Sequence, residues 1–205
     1  MKIKGIISLA LVAILAIGSV NSVSAKDNNG SGKEELQDAR KTRLQQDSIR
    51  FDKVALQSNQ LIMFYIEQQY ICKGESTRVK VLVDPSRILK FEIFEVTEDN
   101  LEGVKIGEMS DEDLKKGELI LTIKPEKTTY LKYRMHIVIG QTERNTTAGK
   151  FIAIVDADKV EDIVAKNKEL VSNRDFAGIN QHTIQTVGEE FYNAVLERVK
   201  RENGL

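Results

Sequence analysis

Leu131-Lys132-Tyr133-Arg134-Met135-His136-Ile137-Val138-Ile139 carries the cleanest two-residue period in the chain. A β-strand sends successive side chains to opposite faces. Leu131, Tyr133, Met135, Ile137 and Ile139 therefore share one face, and Lys132, Arg134 and His136 share the other. One face packs and one meets water, which is the pattern of an antiparallel sheet that covers a core on one side.

The same texture extends outward in both directions. Upstream, Leu61 to Cys72 reads as a long strand or as two strands broken near Gln68. Val79, Val81 and Val83 alternate with Arg78 and Lys80. Ile88 to Val96 is a further strand whose alternation slips at Ile93-Phe94, where a bulge is expected. Val104 to Met109 is a short strand. Ser110-Asp111-Glu112-Asp113 can cap one helical turn that Gly117 ends. Leu119, Leu121 and Ile123 form the next strand. Downstream, Gly140 to Gly149 reads as a polar loop, and Phe151 to Val155 closes the set. Gly74-Glu75-Ser76, Asp84-Pro85-Ser86 and Lys124-Pro125-Glu126-Lys127 supply turns.

About seven short strands with turns roughly every ten residues are the pattern of a β-sandwich. The run Ile123-Lys124-Pro125, through Thr128, to Tyr130 and Tyr133 resembles the corner between the E and F strands of immunoglobulin-like and fibronectin-type domains. There a proline-containing turn precedes a tyrosine that ties the corner. The resemblance implies an Ig-like sandwich in preference to a closed barrel. The spacing departs from that pattern by a position, and the Cys-Trp-Cys arrangement of antibody domains has no counterpart.

Helical periodicity flanks the strands. Leu36, Ala39, Leu44, Ile49, Val54 and Leu56 make a thin stripe between Glu34 and Gln57. Such a helix needs a partner surface to be stable. Val160, Ile163, Val164, Ala165 and Leu170 fit one face of a helix over Lys159–Val171. Ser172 to His182 reads as a polar connector. Ile184, Val187, Phe191, Val195 and Val199 mark a second helix over Thr183–Arg201. The expected fold is α+β: an Ig-like antiparallel sandwich over residues 60–156, a leader and N-terminal helix over 26–59, and a helical segment over 157–205.

The first residues are expected to concern address. Lys2 and Lys4 precede the apolar run Ile6–Val20, and Val23-Ser24-Ala25 places small residues at −3 and −1. This is the layout of a secretory signal peptide over residues 1–25, with the mature chain starting at Lys26. The run is shorter than the roughly 20 residues a membrane-spanning helix needs. A secreted, periplasmic or surface-associated protein is expected, with no membrane-spanning segment after cleavage. The compact leader suits a bacterial origin.

Without Lys2 and Lys4 the chain has 28 basic against 31 acidic side chains. That balance has no electrostatic pull toward nucleic acid. Cys72 is the single cysteine, so stability must come from packing. Its strand parity with Ile62, Phe64, Ile66 and Tyr70 makes it a buried small hydrophobe, with an intermolecular disulfide as the rival reading.

The chemistry-bearing residues do not form a catalytic pattern. His136, His182 and Cys72 fall short of a zinc ligand set. EF-hand counts from Asp156 and from Asp111 fail at the glycine and at the closing acid. Those acids suit helix N-termini instead. There is no Gly-x-Ser-x-Gly elbow and no glycine-rich phosphate loop, and no cofactor is expected. Asn145-Thr146-Thr147 is a glycosylation sequon. A small secreted enzyme or enzyme inhibitor would need Glu67, Cys72 and His136 to converge.

What remains is surface. Leu61, Met63 and Tyr65 lie on the parity opposite Ile62, Phe64 and Ile66, so this strand is apolar on both faces. A flanking helix of the same chain is the economical cover. A partner, either a second copy or another envelope protein adding a strand, is the alternative. The same argument applies to Ile152 and Ile154. The expectation is an exported, non-catalytic binding module for adhesion, assembly or a chaperone-like task. A structural subunit that donates residues 26–59 as a strand is a further reading.

Overall fold

The computed structural model describes residues 31–205, with side chains from residue 36 onward. The expected signal peptide lies outside the described residues. Helix α1 (Ser31–Lys53) is followed by strands β1 (Ile62–Ile66), β2 (Tyr70–Ile71), β3 (Thr77–Val83), β4 (Ile88–Thr97) and β5 (Asn100–Glu108). The short helix α2 (Asp111–Lys116) leads to β6 (Glu118–Ile123), β7 (Thr129–Ile139) and β8 (Thr142–Ile154). Helices α3 (Val160–Ser172), α4 (Phe176–Val187) and α5 (Glu189–Glu202) complete an α+β architecture.

The strands form a three-stranded sheet, β1-β3-β6, and a five-stranded sheet, β2-β8-β7-β4-β5. All pairs are antiparallel except β2 with β8. The sequence break at Gln68 is where the chain changes sheets. Glu67 N still donates to Arg78 O on the β3 side, whereas Gln69 O already accepts from Ala153 N on β8. One core fills the space between the sheets. Phe64, Ile66, Val79, Val81 and Val83 come from the first sheet, and Phe91, Ile93, Leu131, Met135 and Ile137 from the second. Alternation along β7 puts Leu131, Met135 and Ile137 in this core, and the expected bulge is found at Ile93/Phe94, where the β4–β5 register shifts.

The connection from β5 to β6 is built as its sequence reads. Ser110 and Asp113 form a reciprocal capping box on α2, and Gly117 ends the helix at φ 70°. A Cβ on Gly117 would also sit 2.8 Å from Val83 O, so the site needs glycine twice over.

Four expectations are corrected. The polar stretch Gly140–Gly149 is mostly strand: β8 begins at Thr142 and pairs residue by residue with β7 after a two-residue turn at Gly140-Gln141. Backbone pairing does not require apolar side chains, and Glu143, Arg144 and Asn145 face solvent there. The polar connector after α3 is largely helix α4, capped where Asp175 Oδ1 accepts from Gly178 N at 2.9 Å. The single last helix is two helices, because Gly188 adopts φ 93° between them. The corner before β7 is tied by threonines: Thr129 Oγ1 donates to Val96 O at 2.8 Å, and Ile154 N donates to Thr128 Oγ1 at 3.1 Å. The tyrosines there contribute rings, Tyr130 against Phe151 and Tyr133 against Phe64 and Phe91.

Helix α5 lies on the outer face of the five-stranded sheet. Phe191 and Val195 bury against Val96 and Tyr130, with Phe151, Val199 and Leu101 at the margin. Its end is held by polar contacts. Lys132, 2% exposed at its side chain, donates to Glu202 Oε1 and to Glu102 O, both at 2.9 Å. Asn203 bonds the backbone N–H and C=O of Thr147 through its amide. No helix among the described residues is long and apolar enough to cross a membrane.

Candidate functional site: the sheet face under the N-terminal helix

The outer face of the three-stranded sheet is set by register. Met63 pairs with Leu82 and Tyr65 with Lys80, while Lys80 pairs with Ile120 and Arg78 with Thr122. These residues point away from the core because their neighbours Phe64, Val79 and Val81 point into it. Helix α1 crosses this face at its C-terminal end. Phe51, 1% exposed, sits 6.1 Å from the Tyr65 ring, with the Arg78 guanidinium at 4.2 Å and Lys80 Nζ at 4.9 Å from its centroid. A desolvated cation over an aromatic face is attractive, and more so than at an open surface.

Three arginines tie the helix down. Arg78 forks onto Glu67 at 2.9 and 2.8 Å and donates to Ser48 Oγ of α1 at 2.9 Å. Arg43 of α1 donates to Glu161 of α3 through Nε and Nη2, each at 2.9 Å, and to Asp47 at 3.1 Å. Arg40 donates to both Glu75 oxygens at 2.6 and 2.7 Å and to Cys72 Sγ at 3.2 Å. Paired forks of this kind are stronger than single neutral hydrogen bonds. Burial pulls the Arg43 pKa down, but Glu161 and Asp47 outweigh it and leave it raised. The Arg78 pKa is raised chiefly by its bond to Glu67. Burial raises the Tyr65 hydroxyl as well.

Among the described side chains of α1 the buried ones are Arg43, Asp47 and Phe51, one every four residues along a single face. The apolar stripe read from the sequence is elsewhere: Leu36 is 51% and Ile49 49% exposed. Counting apolar residues missed the docking face because two of its three members are charged. Their four-residue spacing was the available signal.

Leu61 packs at the edge of the inter-sheet core, and Met63 and Tyr65 are half-buried. Ile152 is corrected: it is 0% exposed within the core, and Ile154 packs against the same core. Neither offers a free surface. Cys72 is also corrected. Strand β2 ends at Ile71, and Cys72 opens the turn through Gly74, half-buried, with its amide donating to Glu75 at 2.8 Å.

Glu67, Cys72 and His136 do not converge. His136 lies 3.1 Å from Glu143 near the β7–β8 turn. It pairs with Asn145, whereas Ile71, next to Cys72, pairs with Ile154. Those two positions on β8 are separated by about 30 Å at the rise of a strand. His182 donates to Ile163 O at 3.1 Å and packs its ring 6.0 Å from Tyr70. Residues Ser31–Lys53 are helical, not the extended strand that a donor arm requires.

No protein-family model matches the chain, and no curated protein sequence matches it. Among solved structures it is similar to the sulfur carrier protein SoxY from Chlorobium limicola f thiosulfatophilum. The likeness has a TM-score of 0.31 and 15% identity, over 56% of this chain and 96% of that one. At that TM-score it carries no assignment.

Proposed function

We propose that this chain is an exported, non-catalytic protein-binding module of the cell envelope or extracellular space, built on an Ig-like sandwich. The strand order supports the scaffold reading: β1 pairs with β3 in one sheet, and the chain then switches so that β2 runs parallel to the last strand of the other. Sheets of this kind present edges and faces to proteins through strand addition and side-chain pockets.

The observation that carries the reading is β1. Among the described residues it pairs on one side only, and it carries Met63 and Tyr65 half-buried on its outer side, with Leu61 just before it. An unpaired strand edge beside apolar side chains is a template for a partner strand. The other edge strands are β2, β5 and β6, of which β5 and β6 expose Val104 and Ile120.

The experiment has three arms. Residues 1–25 fused to a reporter that is active only outside the cytoplasm should export it; a reporter retained inside overturns the localisation. Cross-linking of the chain in its native envelope should join one partner, and Met63→Lys should abolish the adduct while the circular dichroism spectrum is kept. Turnover on a hydrolase substrate panel, lost on a single polar-to-alanine change, overturns the non-catalytic reading.

A further inference from the structure

We infer that α1 is a releasable strap: a helix that opens from the outer face of the three-stranded sheet as a unit while both sheets remain folded. Its attachment differs from that of the inter-sheet core and of α5. The inter-sheet core is made of apolar side chains, and α5 is seated on Phe191 and Val195. Among its described side chains, α1 buries one large apolar group, Phe51, with Leu44 half-buried, and docks mainly through the charged Arg43 and Asp47. Long side chains make the ties: Arg78 of β3 reaches Ser48 of α1, Arg40 reaches Glu75 in the turn after β2, and Arg43 reaches Glu161 of α3.

The geometry allows release without damage to the core. The residues under α1 (Tyr65, Arg78 and Lys80) are on the outward parity of their strands, and the inward residues Phe64, Val79 and Val81 are held by the opposite sheet. Most of the groups that would be uncovered are charged and readily hydrated: Arg43, Asp47, Arg78 and Lys80, with Phe51 and Tyr65 the large apolar ones and Leu44, Ser48 and Cys72 half-buried. The segment joining α1 to β1, residues 54–61, has no helix or strand. Its backbone bonds are Val54 N to Phe51 O at the helix end, Gln60 N to Gln57 O within it, and Asp84 N to Leu61 O where it meets the sheet, and Ala55, Gln57, Ser58 and Asn59 are exposed. Such a segment can serve as a hinge, since elements with few buried apolar contacts open at a fraction of the global unfolding free energy.

Opening uncovers Tyr65, part of the contact surface proposed above. The inference itself concerns the chain alone and stands or falls without a binding role. Amide hydrogen exchange on the chain tests it. The amides of Arg40 to Phe51 should exchange together, at least ~100-fold faster than those of β7 and β8. Arg43→Met and Phe51→Ala should each speed exchange across all of α1 by a further ~10-fold or more, with β3, β7 and β8 unchanged. Exchange of α1 at the rate of β7 and β8 overturns the strap. So does equal acceleration of helix and sheets by either variant, which would make α1 part of one cooperative unit.

Discussion

At Gly149 the backbone of β8 passes so close to β7 that a Cβ would lie 2.1 Å from Leu131 O and 2.8 Å from the Tyr130 ring. The φ is ordinary, so the demand is for space alone. Gly149→Ala must push apart a central strand pair and is expected to cost about 1–3 kcal/mol, the range for overpacking. A denaturation midpoint equal to the parent's would refute that. Glu202 poses an electrostatic question. Burial opposes its ionisation, yet hydrogen bonds from Arg198 and Lys132 outweigh burial and lower its pKa below the usual 4.5. A lowered folded pKa means stability that is complete above the unfolded value and lost as pH falls through the folded one. The stability of the parent should therefore decline faster than that of Glu202→Gln as pH drops below 4.5. Parallel profiles in urea melts across that range would show that the carboxylate is not coupled to folding.

At the scale of elements, charge and backbone conformation decide what hydrophobic periodicity cannot. Gly188 divides α4 from α5 with φ 93° and ψ 133°, a region that residues with a Cβ rarely occupy. Gly188→Ala is expected to destabilise by about 1–3 kcal/mol, although open space surrounds the position. Thermal unfolding checks it, and an unchanged midpoint would argue that the two helices can re-form as one. Helix α5 depends on an aromatic cluster in which Phe151 meets Tyr130, Phe191 and Tyr192 at centroid distances of 4.9, 5.6 and 5.6 Å. Phe191→Ala removes the larger of the two side chains that helix buries, the other being Val195, and should cost about 3–5 kcal/mol. Equilibrium urea unfolding reads it, and a loss below 1 kcal/mol would mean that α5 contributes little to the fold.

Considered whole, the molecule is held by one core between two sheets and a smaller cluster under α5. Cys72 lies outside both. Cys72→Ser keeps the turn and the Glu75 contact to its amide, so stability should stay within about 0.5 kcal/mol of the parent, as for substitutions away from buried features. A larger loss in a denaturant titration would reveal that the sulfur packs in a way its half-exposure does not suggest. The two-residue alternation at Val79–Val83 and Leu131–Ile137 was enough to identify strands and the sides that face the inter-sheet core, but not that Lys80 and Lys132 on the opposite sides are buried as well. The capping box at Ser110–Asp113 was equally plain, because its partners are three residues apart. The candidate site was legible in part: the two-sided apolar character of Leu61–Ile66 pointed to a covered face. Its cover was not legible, since Arg43 meets Glu161 across 118 positions of sequence and looks like any other surface charge in a helix.

By itself, then, the sequence determined the α+β content, the faces of most strands and the turns between them, because alternation, capping and glycine conformation act over a few residues. Tertiary structure alone decided that the chain changes sheets at Gln68. It also paired polar Thr142–Thr147 with β7 and broke the last helix from its neighbour. The seating of α1 on Phe51, Arg43 and Arg78 was settled there as well. Strand partners and charge neutralisation depend on what folding brings from far along the chain, and no local period records that.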